Sequence, residues 1–76
     1  MLYVMMNDKF YINLGKNIKK YRKLGGLKQQ ELADKTGITL NHLGKVEVAF
    51  SKPSLDLVVD IANALNITVS DLCKFN

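Results

Sequence analysis

The sequence is poor in cysteine, in proline and in acidic residues. Cys73 is the only thiol, so no internal disulfide forms and no cysteine cluster is present to hold a metal. It reads as a lone buried thiol. No window is long and apolar enough to span a bilayer. The opening MLYVMM is too short for a signal-peptide core and lacks a basic leader, so a cytoplasmic protein is expected. Catalytic signatures are missing too. There is no cysteine–histidine pairing, no phosphate-cradling glycine loop ahead of a helix, and no pair of carboxylates placed to form a cleft. The expectation is a binding protein without a cofactor, not an enzyme.

What the sequence does have is room for one domain and an excess of lysine. Its 76 residues supply one modest core and no second one. A core that thin often leans on a second copy of the chain. With 47% apolar residues the chain folds rather than staying disordered. Eleven Lys and Arg stand against seven Asp and Glu, a net charge of +4, which suits an anionic partner. The excess is concentrated: Lys9 to Lys28 contains seven basic residues and no acidic one.

Hydrophobic spacing predicts helices. Leu14, Ile18 and Tyr21 fall at i, i+4 and i+7. Lys16, Lys19, Lys20 and Lys23 share another face, either a solvated flank or a face for phosphates or an acidic partner. Gly25-Gly26 ends this helix. A second helix is expected from about Gln29 to Thr36, with Leu32 and Ala33 inward, broken by Gly37. Thr39 caps a third, with Ile38 before the cap and Leu43 four residues into the helix forming a hydrophobic staple. Pro53-Ser54 opens a fourth, whose inward face is Leu57, Val58, Ile61, Ala62 and Leu65. Asn66 closes it in the left-handed conformation. Thr68 caps a short fifth carrying Val69, Leu72 and Cys73.

Residues 1–13 stand apart. Leu2–Met6 and Phe10–Ile12 are apolar runs around Asn7-Asp8-Lys9. They read as a hairpin turning at Asn7-Asp8, as an arm packed on a second subunit, or as an extension of the first helix; Met6 is an alternative start. The expected organisation is an arm or hairpin over 1–13 and a helical domain over 14–76.

Helices two and three carry the informative pattern. A steep crossing of two helices admits only a small side chain at the contact, and Ala33 provides it. The turn between them requires a positive φ, and Gly37 provides that. Leu32, Ile38, Leu43 and Val46 then bury into a core shared with the first and fourth helices. On these residues Leu14–Leu72 resembles the Cro/repressor-type helix-turn-helix family, also called the xenobiotic-response-element family. The matching stretches are IKKYRKLGGLKQQELADKTGIT, LGKVE and KPSLDLVVDIANALNITVSDL.

The resemblance implies an all-α, compact five-helix fold of the lambda-repressor type. It implies sequence-specific binding of double-stranded operator DNA by a transcriptional regulator, a repressor, commonly a homodimer on a palindrome. The dimer is expected to form through the fifth helix, the N-terminal arm, or both. The resemblance also implies an ion pair between Arg22 and Glu47. It assigns Gln29 to a DNA phosphate and to support of the recognition helix. It places the recognition positions on Leu40, Asn41, Gly44 and Lys45, with His42 beside them, and the DNA-facing set expected here adds Lys28, Gln30 and Thr39 to these and Gln29.

Several residues depart from the family pattern. Lys28 stands where a Ser or Thr cap is usual, which removes about 1 kcal/mol of capping support while adding a charge where a phosphate approaches. Leu40 replaces a common glutamine and offers an apolar contact to a thymine methyl instead of a bidentate bond to adenine. Gly44 reads no base and weakens the helix by about 1 kcal/mol. Val48, Ala49 and Phe50 replace polar and glycine residues; Phe50 is either core or close to the DNA backbone. These apolar departures keep a rival reading open, a helix-turn-helix module for protein contact such as an antitoxin or anti-repressor.

Overall fold

Helices form the chain in the order α1 (Leu2–Leu24), α2 (Gln29–Thr36), α3 (Leu40–Glu47), α4 (Leu55–Ala64) and α5 (Val69–Leu72). The structure, a computed structural model, describes the backbone of residues 2–75 and the side chains of residues 8–75, and among these there is no strand. The all-α, five-helix expectation is met.

Each helix after the first starts where its local chemistry starts it. Thr39 Oγ1 accepts the His42 N–H at 3.0 Å and Ser54 Oγ accepts the Leu57 N–H at 3.1 Å. Both satisfy donors that the first helical turn otherwise leaves orphaned. At α5, Thr68 Oγ1 accepts from Asp71 N–H at 2.9 Å and the Asp71 carboxylate accepts from Thr68 N–H at 3.1 Å, a complete capping box. These two bonds hold the Asp71 carboxyl below its ordinary pKa. Their contribution is therefore present above the usual carboxylate range and is lost as the pH falls through the lowered value.

At α2, Glu31 accepts the Lys28 N–H at 2.8 Å. Only that half of a capping box forms, because an ammonium has no lone pair to offer in return. Gly37 leaves α2 at φ 72° and Asn66 follows α4 at φ 58°, as expected for left-handed terminators.

Among the described side chains the core is one cluster. Leu14 and Ile18 of α1, Leu32 and Ala33 of α2, Leu43 and Val46 of α3, Leu57, Val58, Ile61 and Ala62 of α4, and Leu72 of α5 are all buried, with Ile38 and Leu65 packed at its edge. Asn17 closes the ring by donating from Nδ2 to the carbonyls of Leu72 (2.7 Å) and Lys74 (3.1 Å), tying α1 to the end of α5. Cys73 is half-buried rather than buried.

The N-terminal arm or hairpin expected over 1–13 is corrected by the structure: α1 begins at Leu2 and passes without a break through Asn7-Asp8. Among residues 2–24 none takes a positive φ and none is proline, so no residue stops the helix before its end. An isolated hairpin of that length is marginal in water. The helical register also continues the core face outward, with Tyr11 packed three residues before Leu14. The expected contact of Leu2–Met6 with a second subunit, and the question of a start at Met1 or Met6, lie outside the described side chains.

Candidate functional site

The position of α3 is set by three contacts beneath it. The first is a backbone approach. Gly15 is buried in the middle of α1 against the last turn of α3. A Cβ built on it would lie 2.5 Å from the Glu47 carbonyl oxygen and 2.7 Å from that of Val46. The absence of a side chain is what lets the two helices meet at this distance. Gly15 did not stand out in the sequence, because its need arises only from a partner 32 positions away.

The second is a buried ion pair. Arg22 lies seven residues beyond Gly15, on the same face of α1. Its Nε donates to Glu47 Oε2 at 2.7 Å and its Nη2 to Glu47 Oε1 at 3.1 Å, a bidentate arrangement. Both residues are buried, at 6% and 4% exposure. Arg22 Nη1 also donates to the Leu27 carbonyl at 2.9 Å, which fixes the turn between α1 and α2. Glu47 ends α3, where the helix dipole disfavours an anion, so the arginine is what makes a carboxylate tolerable there.

The third contact brings in α2. Gln29 Nε2 donates to Glu47 Oε1 at 2.9 Å. One carboxylate thereby joins α1, α2 and α3, and Gln29 has the structural half of the role expected of it. Leu43 and Val46, wholly inward, complete the seat.

The outer face of α3 carries two parallel stripes. Leu40, Gly44 and Val48 follow at i, i+4 and i+8, and beside them run Asn41 and Lys45 at i and i+4. Leu40 is 43% exposed and Val48 72%. Phe50 follows and is 77% exposed, which excludes the core, one of its two expected places. Ala49 is the reason. It takes φ 63°, a left-handed turn that costs an L-residue about 1–2 kcal/mol and swings the chain outward. Lys45 Nζ then lies 5.6 Å from the Phe50 ring centroid, within cation–π range.

Five of the nine residues expected to face DNA, Gln29, Leu40, Asn41, Gly44 and Lys45, line one shallow, open concavity, joined by Val48 and Phe50. The other four do not line it. Lys28 and Gln30 are exposed at the start of α2, where Gln30 Nε2 donates to Asp34 Oδ1 at 2.8 Å. Thr39 uses its hydroxyl as the α3 cap, and His42 is half-buried one residue beyond Asn41.

Comparison with known proteins places this geometry. A family model described as helix-turn-helix matches residues 18–72. YazB of Bacillus subtilis strain 168, an HTH-type transcriptional regulator, is 36% identical over 58 residues, 76% of this chain and 84% of YazB. The restriction-modification controller protein C.AhdI of Aeromonas hydrophila superposes with a TM-score of 0.79 at 29% identity, over 82% of this chain and 94% of its own. SinR, a master regulator for biofilm formation solved in complex with DNA, superposes with a TM-score of 0.75 at 31% identity, over 80% and 98%.

Proposed function

The chain belongs to the helix-turn-helix family, and on that premise we propose that it is a sequence-specific transcriptional regulator, a repressor, that reads operator DNA in the major groove with the outer face of α3. The observation that carries this reading is the contrast between the two sides of α3. Its inner side is clamped by a backbone contact and a buried bidentate ion pair, while its outer side is held open to solvent. An α-helix with its side chains is about 10–12 Å across, which fits the roughly 12 Å width of the major groove, and the eight residues of α3 give it about two turns to lay there. The protein acts in the cytoplasm by binding, with no catalytic step and no cofactor.

In this reading Asn41 pairs with the N6/N7 edge of adenine and Lys45 with guanine or a neighbouring phosphate. Leu40 meets a thymine methyl. Gln29 and Lys28, at the start of α2, take phosphates, and Gln30, Thr39 and His42 form the polar rim that sets register. A second copy supplies the second half-site. Its contact surface is the apolar groove lined by Phe10, Tyr11, Leu55, Val58, Val69 and Cys73, between the N-terminal half of α1, the start of α4, and α5. Two recognition helices related by that two-fold axis would read half-sites about one helical turn apart.

Titration of a cognate and a scrambled duplex across a salt series tests the assignment of roles. The wild-type protein should lose affinity steeply with salt. Lys28→Ser should reduce the slope of log affinity against log salt by nearly one unit, the loss of one phosphate contact. Asn41→Ala should leave the slope intact and shrink the cognate-to-scrambled ratio by about fivefold or more, as expected of a base contact. A flat salt series, together with tight co-purification of one protein, would instead establish the protein-contact role.

A further inference from the structure

Gly44 has no structural explanation within the chain. It sits inside a short helix, does not take a positive φ, and has nothing within 4 Å of the place its Cβ would occupy. An alanine there would fit and would strengthen the helix. Gly15 and Gly37, by contrast, are accounted for by a close approach and by a left-handed turn. The reason for Gly44 therefore lies in what α3 touches.

The recess around that position is lined by apolar side chains together with Gln29, Asn41 and Lys45. Leu40 stands one turn before it and Val48 one turn after, and Phe50 closes the end, propped by the Lys45 ammonium over its ring. Three exposed hydrophobic residues lie around one recess on the helix that the function assigns to the major groove. The stripe from Leu40 to Val48 is about 12 Å long, which spans roughly three to four base pairs at 3.4 Å each. The apolar groups that the major groove presents at base edges are C5-methyls, carried by thymine and by methylated cytosine.

We propose that the recess formed by Leu40, Gly44, Val48 and Phe50 is a methyl-reading site that holds the C5-methyl group of a pyrimidine, so that this protein recognises part of its operator by apolar contact rather than by hydrogen bonds. The inference rests on the DNA-reading function above and names how that site reads. Asn41 and Lys45, on the adjacent stripe, supply the polar contacts that fix base identity beside the methyl. Phe50 and Val48 become specificity-determining residues, although both lie beyond the last residue of α3.

The test uses the tightest duplex recovered by selection from random-sequence DNA. Each thymine is replaced in turn by uracil, which removes the methyl and leaves every hydrogen-bonding group in place. At one or two positions per half-site, affinity should fall about fourfold, the worth of one buried methyl group. Val48→Ser and Phe50→Ser, made at exposed positions that the fold does not use, should bring the thymine-to-uracil ratio at those positions close to one. Gly44→Ala should do the same by filling the recess, in a domain at least as stable as the wild type.

A second arm compares cytosine with 5-methylcytosine at the sensitive positions. A gain assigns both pyrimidine methyls to the site, and no gain assigns it to thymine alone. A duplex that binds specifically but shows a thymine-to-uracil ratio near one at every position, with no gain on cytosine methylation, overturns the inference and leaves the DNA-binding function standing. Failure to recover any enriched duplex overturns both.

Discussion

Replacing Gly15 with alanine should lower the stability of the domain by about 3 kcal/mol. Two effects oppose each other at this position. Alanine is the better helix former by about 1 kcal/mol, which alone would stabilise α1. Against it stands the new Cβ, placed 2.5 Å and 2.7 Å from the carbonyl oxygens of Glu47 and Val46. Those neighbours are backbone, not the far end of a flexible side chain, so relief requires α1 and α3 to move apart. Overpacking of this kind costs about 1–3 kcal/mol even where side chains yield, and here it must also separate the Arg22–Glu47 pair. A domain of this size has roughly 4–11 kcal/mol in all. The loss should appear as a fall in Tm of about 12–24 °C. Gly44→Ala is the matched control. The same substitution, made where a Cβ meets open space, should raise stability by up to about 1 kcal/mol. Urea unfolding of the two variants should therefore shift the midpoint in opposite directions. Equal shifts would mean that the close approach of α1 to α3 does not hold in solution.

Glu47→Ala should be of similar or greater severity, about 3–5 kcal/mol, because it leaves the buried Arg22 guanidinium without its counter-charge and strips Gln29 of its acceptor on Glu47. The double replacement Arg22→Met with Glu47→Leu removes both charges together and should recover much of that loss, since apolar residues of similar volume often substitute for a buried pair with little penalty. The two sets of measurements separate stability from function. Even at temperatures where the double variant is folded, it lacks the bond from Gln29 to Glu47 that ties α2 to α3, so its DNA affinity should stay below wild type. A single Glu47→Ala variant as stable as the wild type would show that the pair contributes nothing to the seat of α3.

Much of this arrangement was legible in the sequence because it depends on local chemistry. Thr39, Ser54 and Thr68 cap helices for reasons contained within three residues, and Gly37 and Asn66 terminate them by their own backbone preference. The staple from Ile38 to Leu43 and the alternation of inward residues in α4 are likewise periodic signals. The Arg22–Glu47 pair was reachable through family resemblance, as was the grouping of Gln29, Leu40, Asn41, Gly44 and Lys45 on one face.

What escaped was tertiary. Gly15 looks like a weak spot in a helix until the carbonyls of α3 lie over it. Asn17 has no local role, and its partners are the carbonyls of Leu72 and Lys74, more than fifty positions further along the chain. Glu31 compensates for Lys28 only once the first turn of α2 forms. The start of α1 was misjudged because apolar runs around Asn7-Asp8 fit a strand pattern as well as a helix, and the deciding fact is the absence of any residue that stops the helix. For Phe50, hydrophobicity left a core place and an outward one both open. Its exposure follows from the left-handed turn at Ala49, a conformation that alanine does not advertise.

These distinctions matter for the apolar departures on the outer face of α3. Leu40, Gly44 and Phe50 looked at first like losses from a reading surface. In the structure they surround a common recess beside Asn41 and Lys45, on a helix whose placement is rigidly determined from below. The surface is sparse in hydrogen-bonding groups but continuous in shape.

The most direct measurement of the central claim is selection of bound sequences from random-sequence duplex DNA by the wild-type chain at physiological salt. The account predicts enrichment of an inverted repeat whose half-sites are centred about 10 base pairs apart, with specificity lost on Asn41→Ala. A pool that remains random after repeated rounds, from a chain that is folded and retains its buried ion pair, would contradict it.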